Sequence, residues 1–441
     1  MRTTSPIPCT LLALTAVLGG CREEEESCDP TTPGILCTIA GNGDNGYDRN
    51  ADDLAIPALE AKFSLPQDTL TASDGTIYIL DWNNHRLRAL LDDGKIHWVA
   101  GRGELGGSLD DPANGDFNHP TNIIFDHGGE NIVMAAWHNS KIRVVNRATG
   151  MVSDTCGDGK RAYFGDDGPA LTSSLDLPAS IAFDPAGDLV IMDQANQVLR
   201  RVDAAGDIHR LAGRCVVDAA PPNGPGACPE GVEPTACPDG PNGPSGKAVC
   251  GEPDPMDPAA LMDLCSKPCT PGYSGDEIPA TELRMSQPFG QSASPAGRIV
   301  YDPEGNLYFA DTGNHLIRMI DTAGVVHRVA GVPPVDGVPR SGYSGDGGPA
   351  TEAMLSFPVD LAFGDDGTLY LTDVRNHCVR AIDPDGIIST VVGICGEHGY
   401  EGDGGAPEDA LLNLAFGIEY ADGTLVISDT GNNVIRSVLL P

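Results

Sequence analysis

Oxygen-bearing side chains recur at one position of this sequence, two residues after a repeated proline. Asp68, Asn122 and Asp360 occupy that position in three parts of the chain. Carboxylate and amide oxygens are the ligands that Ca²⁺ and other hard divalent cations prefer, and such a cation needs about six to eight of them. The three residues therefore predict a divalent cation site, completed by water. A polar, water-filled channel lined by the same side chains is the alternative interpretation, and it is the one that we favour.

The histidines offer less chemistry. Most of the ten fall on repeated positions, whereas His119, directly before Pro120, does not and is the one histidine that we would test. The sequence contains no His-x-x-x-His pair, no recognisable Ser/His/Asp order and no glycine-rich phosphate loop. These patterns favour a protein that is not an enzyme.

The cysteines indicate export. The segment Leu18–Cys21 follows a short apolar run and resembles a bacterial lipobox, so residues 1–20 are predicted to be a signal peptide and Cys21 to carry a lipid. Thirteen cysteines suit an oxidising compartment, with Cys156 as a free buried thiol. Cys378 and Cys395 could pair across a hairpin, and Cys28 with Cys37 is a weaker candidate. Six further candidates for disulfides cluster in one segment whose pairing is open: Cys215, Cys228, Cys237, Cys250, Cys265 and Cys269.

One eight-residue phrase recurs along the chain and defines the units in which most of these residues lie. Its clearest copy is Asp311-Thr312-Gly313-Asn314-His315-Leu316-Ile317-Arg318, preceded by two apolar stretches and followed by a third. Each unit therefore predicts four short antiparallel strands, which is one blade of a β-propeller. The six copies span residues 81–88, 136–143, 193–200, 311–318, 373–380 and 429–436.

The Asn-His-x-[Ile/Leu/Val]-Arg core of this phrase resembles the NHL repeat, and the resemblance covers nearly all of the chain from Ile35 onward. It implies an all-β, six-bladed propeller of four-stranded antiparallel blades. The last unit ends after its third strand, and Ile35–Gly41 reads like the missing fourth, so an N-terminal strand is expected to complete the last blade. Several six-bladed hydrolases and lactonases of similar architecture hold their metal at the axis.

The propeller is predicted to span residues 35–441, after an acidic tether at 21–34. A cysteine-rich insertion at 214–271 separates the third and fourth blades. The inner strands should place Asp68, Asn122 and Asp360 at the channel mouth. The equivalent residues in the other blades are Ser180, Gly417 and either Gly290 or Arg298.

Repetition also assigns roles. A residue kept in all six blades should serve the scaffold, so the six phrase-ending arginines and the recurring aspartates are predicted to brace the blades. His is replaced by Ser, Gln or Asn in three copies, which suggests that it shapes a turn. Asp166, Asp167 and Asp346 lie in Asp-rich connections that suit turns better than a calcium site.

A formal net charge of −36 disfavours nucleic acid and anionic lipid as partners. We therefore expect a monomeric scaffold that binds a protein or another extracytoplasmic ligand. It would touch the membrane only through its lipid, at the bacterial envelope and by preference the outer membrane. The competing hypothesis is a metal-dependent hydrolase or lactonase at the channel mouth.

Overall fold

The computed structural model describes residues 28–47, 55–107, 109, 115–218, 235–236, 248–250, 269–290 and 292–441. Six antiparallel sheets succeed one another along the chain, each with its first strand innermost. Alternating Val, Ile and Leu residues bury both faces of these sheets between neighbouring blades. The predicted six-bladed all-β propeller is confirmed.

The strands of blades one to three follow the sequence order of the repeats. Blade one consists of Asp68–Thr71, Ile77–Asp81, Arg86–Leu90 and Lys95–Ala100. Blade two consists of Pro120–Phe125, Asn131–Ala136, Lys141–Asn146 and Val152–Cys156. Blade three consists of Pro178–Phe183, Leu189–Asp193, Val198–Val202 and Asp207–Ala212.

The remaining blades repeat the pattern. Blade four consists of Ile299–Tyr301, Leu307–Asp311, Leu316–Ile320 and Val325–Ala330. Blade five consists of Pro358–Phe363, Leu369–Asp373, Cys378–Ile382 and Ile387–Val392. Blade six consists of Gly417–Ala421, Thr424–Asp429 and Val434–Leu439, with Leu36–Ala40 as its fourth strand.

The N-terminal strand closes the ring. Leu36 pairs with Val438 and Cys37 with Ser437 in antiparallel register, which confirms the predicted permutation. Residue 28, assigned to the tether, is also tied to this blade, because Cys28 and Cys37 form a disulfide with their Cα atoms 5.7 Å apart. The signal peptide and Cys21 lie outside the described residues.

Short elements fill the connections. Two-residue strands extend four blades, at Ile56–Pro57, Gly168–Pro169, Ile278–Pro279 and Gly348–Pro349. Each is followed by a 3₁₀ helix, at Ala58–Glu60, Ala170–Thr172, Ala280–Glu282 and Ala350–Glu352, and a fifth spans Pro407–Asp409. The described part of the insertion contains the strands Val216–Asp218, Thr235–Ala236 and Ala248–Cys250. No helix of the described residues is long and apolar enough to cross a membrane.

The repeated phrase forms a 3₁₀ turn between the second and third strands. Each turn ends on a left-handed residue, the position that carries His in three repeats. His315 uses its Nδ1 to accept the backbone N–H of Phe357 in the next blade, at 3.0 Å. Gln197 and Asn433 accept the equivalent N–H through their side-chain oxygens. The position therefore both shapes the turn and links blades. The six turns are Trp82–Asn84, Trp137–Asn139, Gln194–Asn196, Thr312–Asn314, Val374–Asn376 and Thr430–Asn432.

The buried brace of five blades consists of the Asp, Asn and Arg of the phrase, while blade two has Ala136 in place of the Asp. In blade four, Asp311 accepts the Ser286 N–H at 2.7 Å and the Asn314 amide at 2.9 Å. Arg318 lies 3.5 Å from the same carboxylate and also pairs with Asp276 of the preceding connection, at 3.3 Å. Burial raises the pKa of Asp311 to about 6. The arginines are therefore structural, as their repetition predicted.

Candidate functional site

Six residues, one from each blade, surround the propeller axis at one level. We call this set the axial ring: Asp68, Asn122, Ser180, Arg298, Asp360 and Gly417. The structure resolves the open choice in blade four, because the inner strand begins at Ile299 and Arg298 directly precedes it. Five of the six residues match their predicted register. The sixth is a buried base among acids and amides.

Most ring side chains bind the backbone of the next blade. Asp68 accepts the Ile123 N–H at 2.8 Å, and Asp360 accepts the Ile418 N–H at 3.0 Å. Asn122 and Ser180 accept equivalent N–H groups of blades three and four. These side chains replace strand-to-strand pairing where the inner strands converge, so they have a structural role.

Arg298 lies across the axis. Its Nη1 is 3.0 Å from Oδ2 of Asp68, which belongs to the blade diametrically opposite in a ring of six. Its Nη2 donates to the backbone oxygens of Gln67, at 3.2 Å, and Thr121. The guanidinium is almost completely buried. Arg298 therefore plugs the axial channel, for which the sequence predicted either a cation or water.

The hydrogen bonds of the predicted metal ligands do not favour a cation site in this geometry. Oδ2 of Asp68 already accepts hydrogen bonds from Asn122, Ile123 and Arg298. The oxygen of Asn122 is directed towards blade three, away from the aspartates. A divalent cation here would also face a buried guanidinium, which is electrostatically unfavourable. The described residues contain no group of three or more His, Cys, Asp or Glu residues suited to a metal.

Asp360 has a different environment from Asp68. Its carboxylate accepts only the N–H groups of Leu361 and Ile418 among the described residues. Burial raises its pKa to about 7, and the negative charge of Asp68 adds to this effect while Arg298 opposes it. The axial ring thus shares one internal cation between two acids.

The segment before Arg298 packs on one side of the ring. Gln194 donates to the backbone oxygens of Pro288, at 2.7 Å, and Ser294, at 3.0 Å. Its own oxygen accepts the Ala296 N–H and the indole N–H of Trp137. This side carries the repeated 3₁₀ turns and the connections between blades, and we call it the loop face. The plug and this segment leave the opposite side as the accessible end.

A cavity of about 450 Å³ opens on that opposite side, which we call the hairpin face because the turns between strands one and two lie there. We call this cavity the funnel. Four residues of the axial ring line its floor, and two further levels of inner-strand residues form its walls. The four are Asp68, Asn122, Ser180 and Asp360. The middle level contains Leu70, Ile124, Ala182, Val300, Ala362 and Glu419. The rim contains the aromatic residues Phe125, Phe183, Tyr301, Phe363 and Tyr420.

Glu419 is the functional candidate that sequence reasoning missed. Its carboxylate accepts the N–H of Thr71 at 2.6 Å and the hydroxyl of Thr71 at 2.8 Å. Burial raises its pKa. The signal for it was available, because the other five blades have an aliphatic residue at this level of the inner strand.

His119 lies on the loop face, away from the funnel. Its ring contacts those of Trp82, at 4.3 Å between centroids, His85, at 4.5 Å, and His138, at 4.8 Å. Burial and the two neighbouring imidazoles lower its pKa to about 3. Such an imidazole is a weak base at neutral pH, so the geometry does not favour a catalytic role.

The cysteines form three described disulfides. Cys378 pairs with Cys395 and Cys28 with Cys37, while Cys215 pairs with Cys269 at the base of the insertion. Cys156 is free and buried, and burial raises its pKa to about 11. Three of the remaining candidates, Cys228, Cys237 and Cys265, lie outside the described residues, as does the side chain of Cys250. Disulfides are typical of proteins outside the cytoplasm.

The Asp-rich connections also hold arginines of the braces. Asp166 is 2.7 Å from Arg200, and Asp346 is 2.5 Å from Arg380. Asp167 pairs with His209 at the surface, at 2.8 Å. These contacts account for the recurrence of the motif without a calcium ion.

A comparison with known families agrees with the repeat found in the sequence. The profile described as "NHL repeat" matches residues 355–382, which cover the inner strands and the 3₁₀ turn of blade five. Human NHL repeat-containing protein 2 is 24% identical over 74% of the chain and 39% of its own length. The chain is a six-bladed β-propeller whose fifth blade matches the NHL repeat.

Other relatives of this propeller are much longer proteins. Suppressor of quenching 1 of Arabidopsis thaliana is 28% identical over 33% of the chain, and mouse teneurin-1 is 23% identical over 79%. The chain spans 14% of the first and 13% of the second.

Solved structures share the fold at low sequence identity. A protein of unknown function from Bacteroides thetaiotaomicron gives a TM-score of 0.58 at 15% identity, covering 91% of the chain and 75% of that structure. An auxiliary nutrient binding protein from the same organism gives 0.55 at 14% identity, with the same coverage.

Proposed function

We propose that this NHL-repeat propeller is an exported, lipid-anchored binding protein that holds a small, largely apolar ligand in the funnel. The observation that carries this proposal is the Arg298 plug. It turns the axial channel into a cavity open on one face, with an apolar middle level and an aromatic rim. A cavity of this size and composition is suited to a small ligand.

The proposal does not include catalysis. The residues that line the funnel contain no His, Cys or Lys among those that the structure describes, and its one serine and one threonine have no imidazole beside them. A metal-dependent hydrolase would need the oxygens of Asp68, Asn122 and Asp360 as metal ligands. These oxygens accept backbone N–H groups instead, and that of Asp68 also pairs with Arg298. The geometry therefore favours binding over the competing hydrolase or lactonase hypothesis.

The proposed location at the cell envelope rests on the N-terminal sequence. The lipid on Cys21 would hold the propeller at the bacterial envelope, by preference the outer membrane, with the acidic residues after it as a spacer. We expect the propeller to be monomeric and not to bind nucleic acid, because its formal net charge is −36.

Binding is tested with the uncharged fluorescent probe N-phenylnaphthylamine. We expect the wild-type protein to bind the probe and Ala182→Trp, which fills the middle level, to bind it at least about tenfold more weakly. Ala205→Trp adds the same side chain at an exposed hairpin turn of the same blade and should bind like the wild type.

Thermal unfolding establishes that each variant is folded, and Ala182→Leu replaces Ala182→Trp if the larger residue prevents folding. Equal probe affinity in the filled variant and the wild type would refute a ligand site in the funnel. The anchor is tested separately. Cys21→Ser should release the protein from the membrane fraction, and unchanged fractionation would disprove lipid attachment at this residue.

A further inference from the structure

The middle level of the funnel breaks the symmetry of the propeller at one residue. Five blades place an aliphatic side chain there, and blade six places Glu419. A residue repeated in every blade serves the scaffold, whereas one that differs in a single blade needs its own explanation. The carboxylate is partly buried in an otherwise apolar wall, a position that costs free energy unless a partner compensates it.

No described cation provides that compensation. The carboxylate of Glu419 accepts hydrogen bonds from Thr71, and no Lys, Arg or His of the described residues forms an ion pair with it. Among the described residues, Arg298 is the one basic side chain near the floor, and it is already bound to Asp68. Asp360 also lines the cavity. No described basic residue lies as close to its carboxylate as Arg298 lies to that of Asp68. The funnel therefore presents more acid than base to its contents.

The aromatic rim is suited to a cation as well. Aromatic rings attract cations to their faces, more strongly where water is excluded. The rim already shows this behaviour within the protein, because the guanidinium of Arg147 lies 5.0 Å from the ring centroid of Phe125 and 5.2 Å from that of Tyr78. The other four rim residues are half-buried and have part of their surface in the cavity.

The surface beside the rim is acidic at blades four and five. A groove between the hairpin turns of blades four and five continues from the rim residues Tyr301 and Phe363. Its remaining walls include four acidic residues and no basic residue among those that the structure describes: Asp302, Glu304, Asp365 and Asp366. A field of this sign concentrates cations at the mouth and repels anions.

We propose that the funnel selects a cationic amphipathic ligand, a protonated or quaternary amine whose apolar part fills the middle level. The ammonium group would pair with Glu419, and the rim would cover the ligand with aromatic faces. This inference rests on the proposed function, since it specifies the charge of the ligand that the funnel binds.

Three probes of similar size and different charge test the inference by displacement of N-phenylnaphthylamine. They are phenethylamine as the cation, phenethyl alcohol as the neutral compound and phenylpropionate as the anion. We expect the amine to bind about tenfold more tightly than the alcohol and the anion to bind most weakly. Added salt should weaken the binding of the amine and leave that of the alcohol unchanged.

Glu419→Gln separates a recognition role from a structural role. It should lower the affinity for phenethylamine by about tenfold and leave the affinity for phenethyl alcohol unchanged. Glu408→Gln makes the same change in net charge at an exposed residue away from the funnel, and should behave like the wild type. An equal loss for both probes would show that Glu419 acts only on the fold, and would overturn the inference.

The possible failures are distinguishable. If the alcohol or the anion binds as tightly as the amine and Ala182→Trp still blocks them, the cationic selectivity is wrong and the funnel site stands. If no probe, including N-phenylnaphthylamine, binds in a way that Ala182→Trp blocks, the proposed function and this inference are both refuted.

Discussion

The braces within the blades and the axial ring between them show two different uses of buried charge. In five of the six blades the brace joins an Asp to an Arg seven residues later. The axial ring joins Asp68 to Arg298 across 230 residues, and it does so once. The first kind of contact forms a repeated scaffold, and the second decides what the channel can hold.

Blade two shows how far a brace can vary. It has Ala136 where the other blades have Asp, and its Arg143 pairs with Asp154 on the neighbouring strand at 3.0 Å. The brace can therefore lose one acid when another lies within reach. The axial ring has no second partner of this kind among the described residues, because Asp68 forms an ion pair with Arg298 alone.

The largest expected effect concerns the axial pair. Arg298→Met should lower the free energy of unfolding by about 3–5 kcal/mol, because it leaves the Asp68 carboxylate buried without a cation. Denaturant unfolding followed by fluorescence measures the change. The double variant Asp68→Asn, Arg298→Met should recover at least half of the loss. A loss below about 1 kcal/mol for Arg298→Met would show that the plug is not a buried ion pair.

A smaller loss is expected from a brace. Asp311→Ala should lower the free energy of unfolding by about 2–3 kcal/mol, since Arg318 keeps its second partner, Asp276, at 3.3 Å. The same unfolding assay applies, with Ala136→Asp in blade two as the control, expected within about 1 kcal/mol of wild type. If Asp311→Ala proved more costly than Arg298→Met, the ranking of the two regions would be reversed.

The smallest effect depends on pH and concerns the link between blades. Burial lowers the pKa of His315 to about 4, and its Nδ1 must be unprotonated to accept the Phe357 N–H. The unfolded chain has a pKa near about 6.5 and binds a proton first as the pH falls. This contribution to stability is therefore complete above about pH 6.5 and is lost as the pH falls towards about 4.

The test compares His315→Gln with wild type between those pH values. Glutamine already serves at the equivalent Gln197, so the variant should keep the hydrogen bond and lose about 1–2 kcal/mol of the pH dependence. His97→Gln, which removes a surface histidine, controls for charge alone. Identical pH profiles for His315→Gln and wild type would contradict the assignment of a neutral, buried imidazole.

Much of the scaffold could be predicted from the sequence. Six copies of one phrase gave the number of blades, and the incomplete last copy located the closing strand at Leu36–Ala40. The pairing of Cys378 with Cys395 could also be predicted, because the two cysteines belong to one hairpin of a predicted blade. These features depend on contacts within a single repeat, which are short in sequence and alike in every copy.

The axial site could be predicted from the sequence only in part. The register identified Asp68, Asn122 and Asp360 correctly as inner-strand residues, yet their predicted role as cation ligands is not favoured by the hydrogen bonds that they make. Extra residues before the inner strand of blade four hid the decisive residue, since Gly290 and Arg298 were equally compatible with the pattern.

The sequence by itself determined the repeat, the blades and the braces, because hydrophobic alternation and turn residues act over a few positions. Only the tertiary structure decided that Arg298 of blade four meets Asp68 of blade one, and that Glu419 enters an aliphatic wall. Closure of the ring brings these residues together. A buried charge takes its role from the groups that surround it in space, and those groups come from every blade.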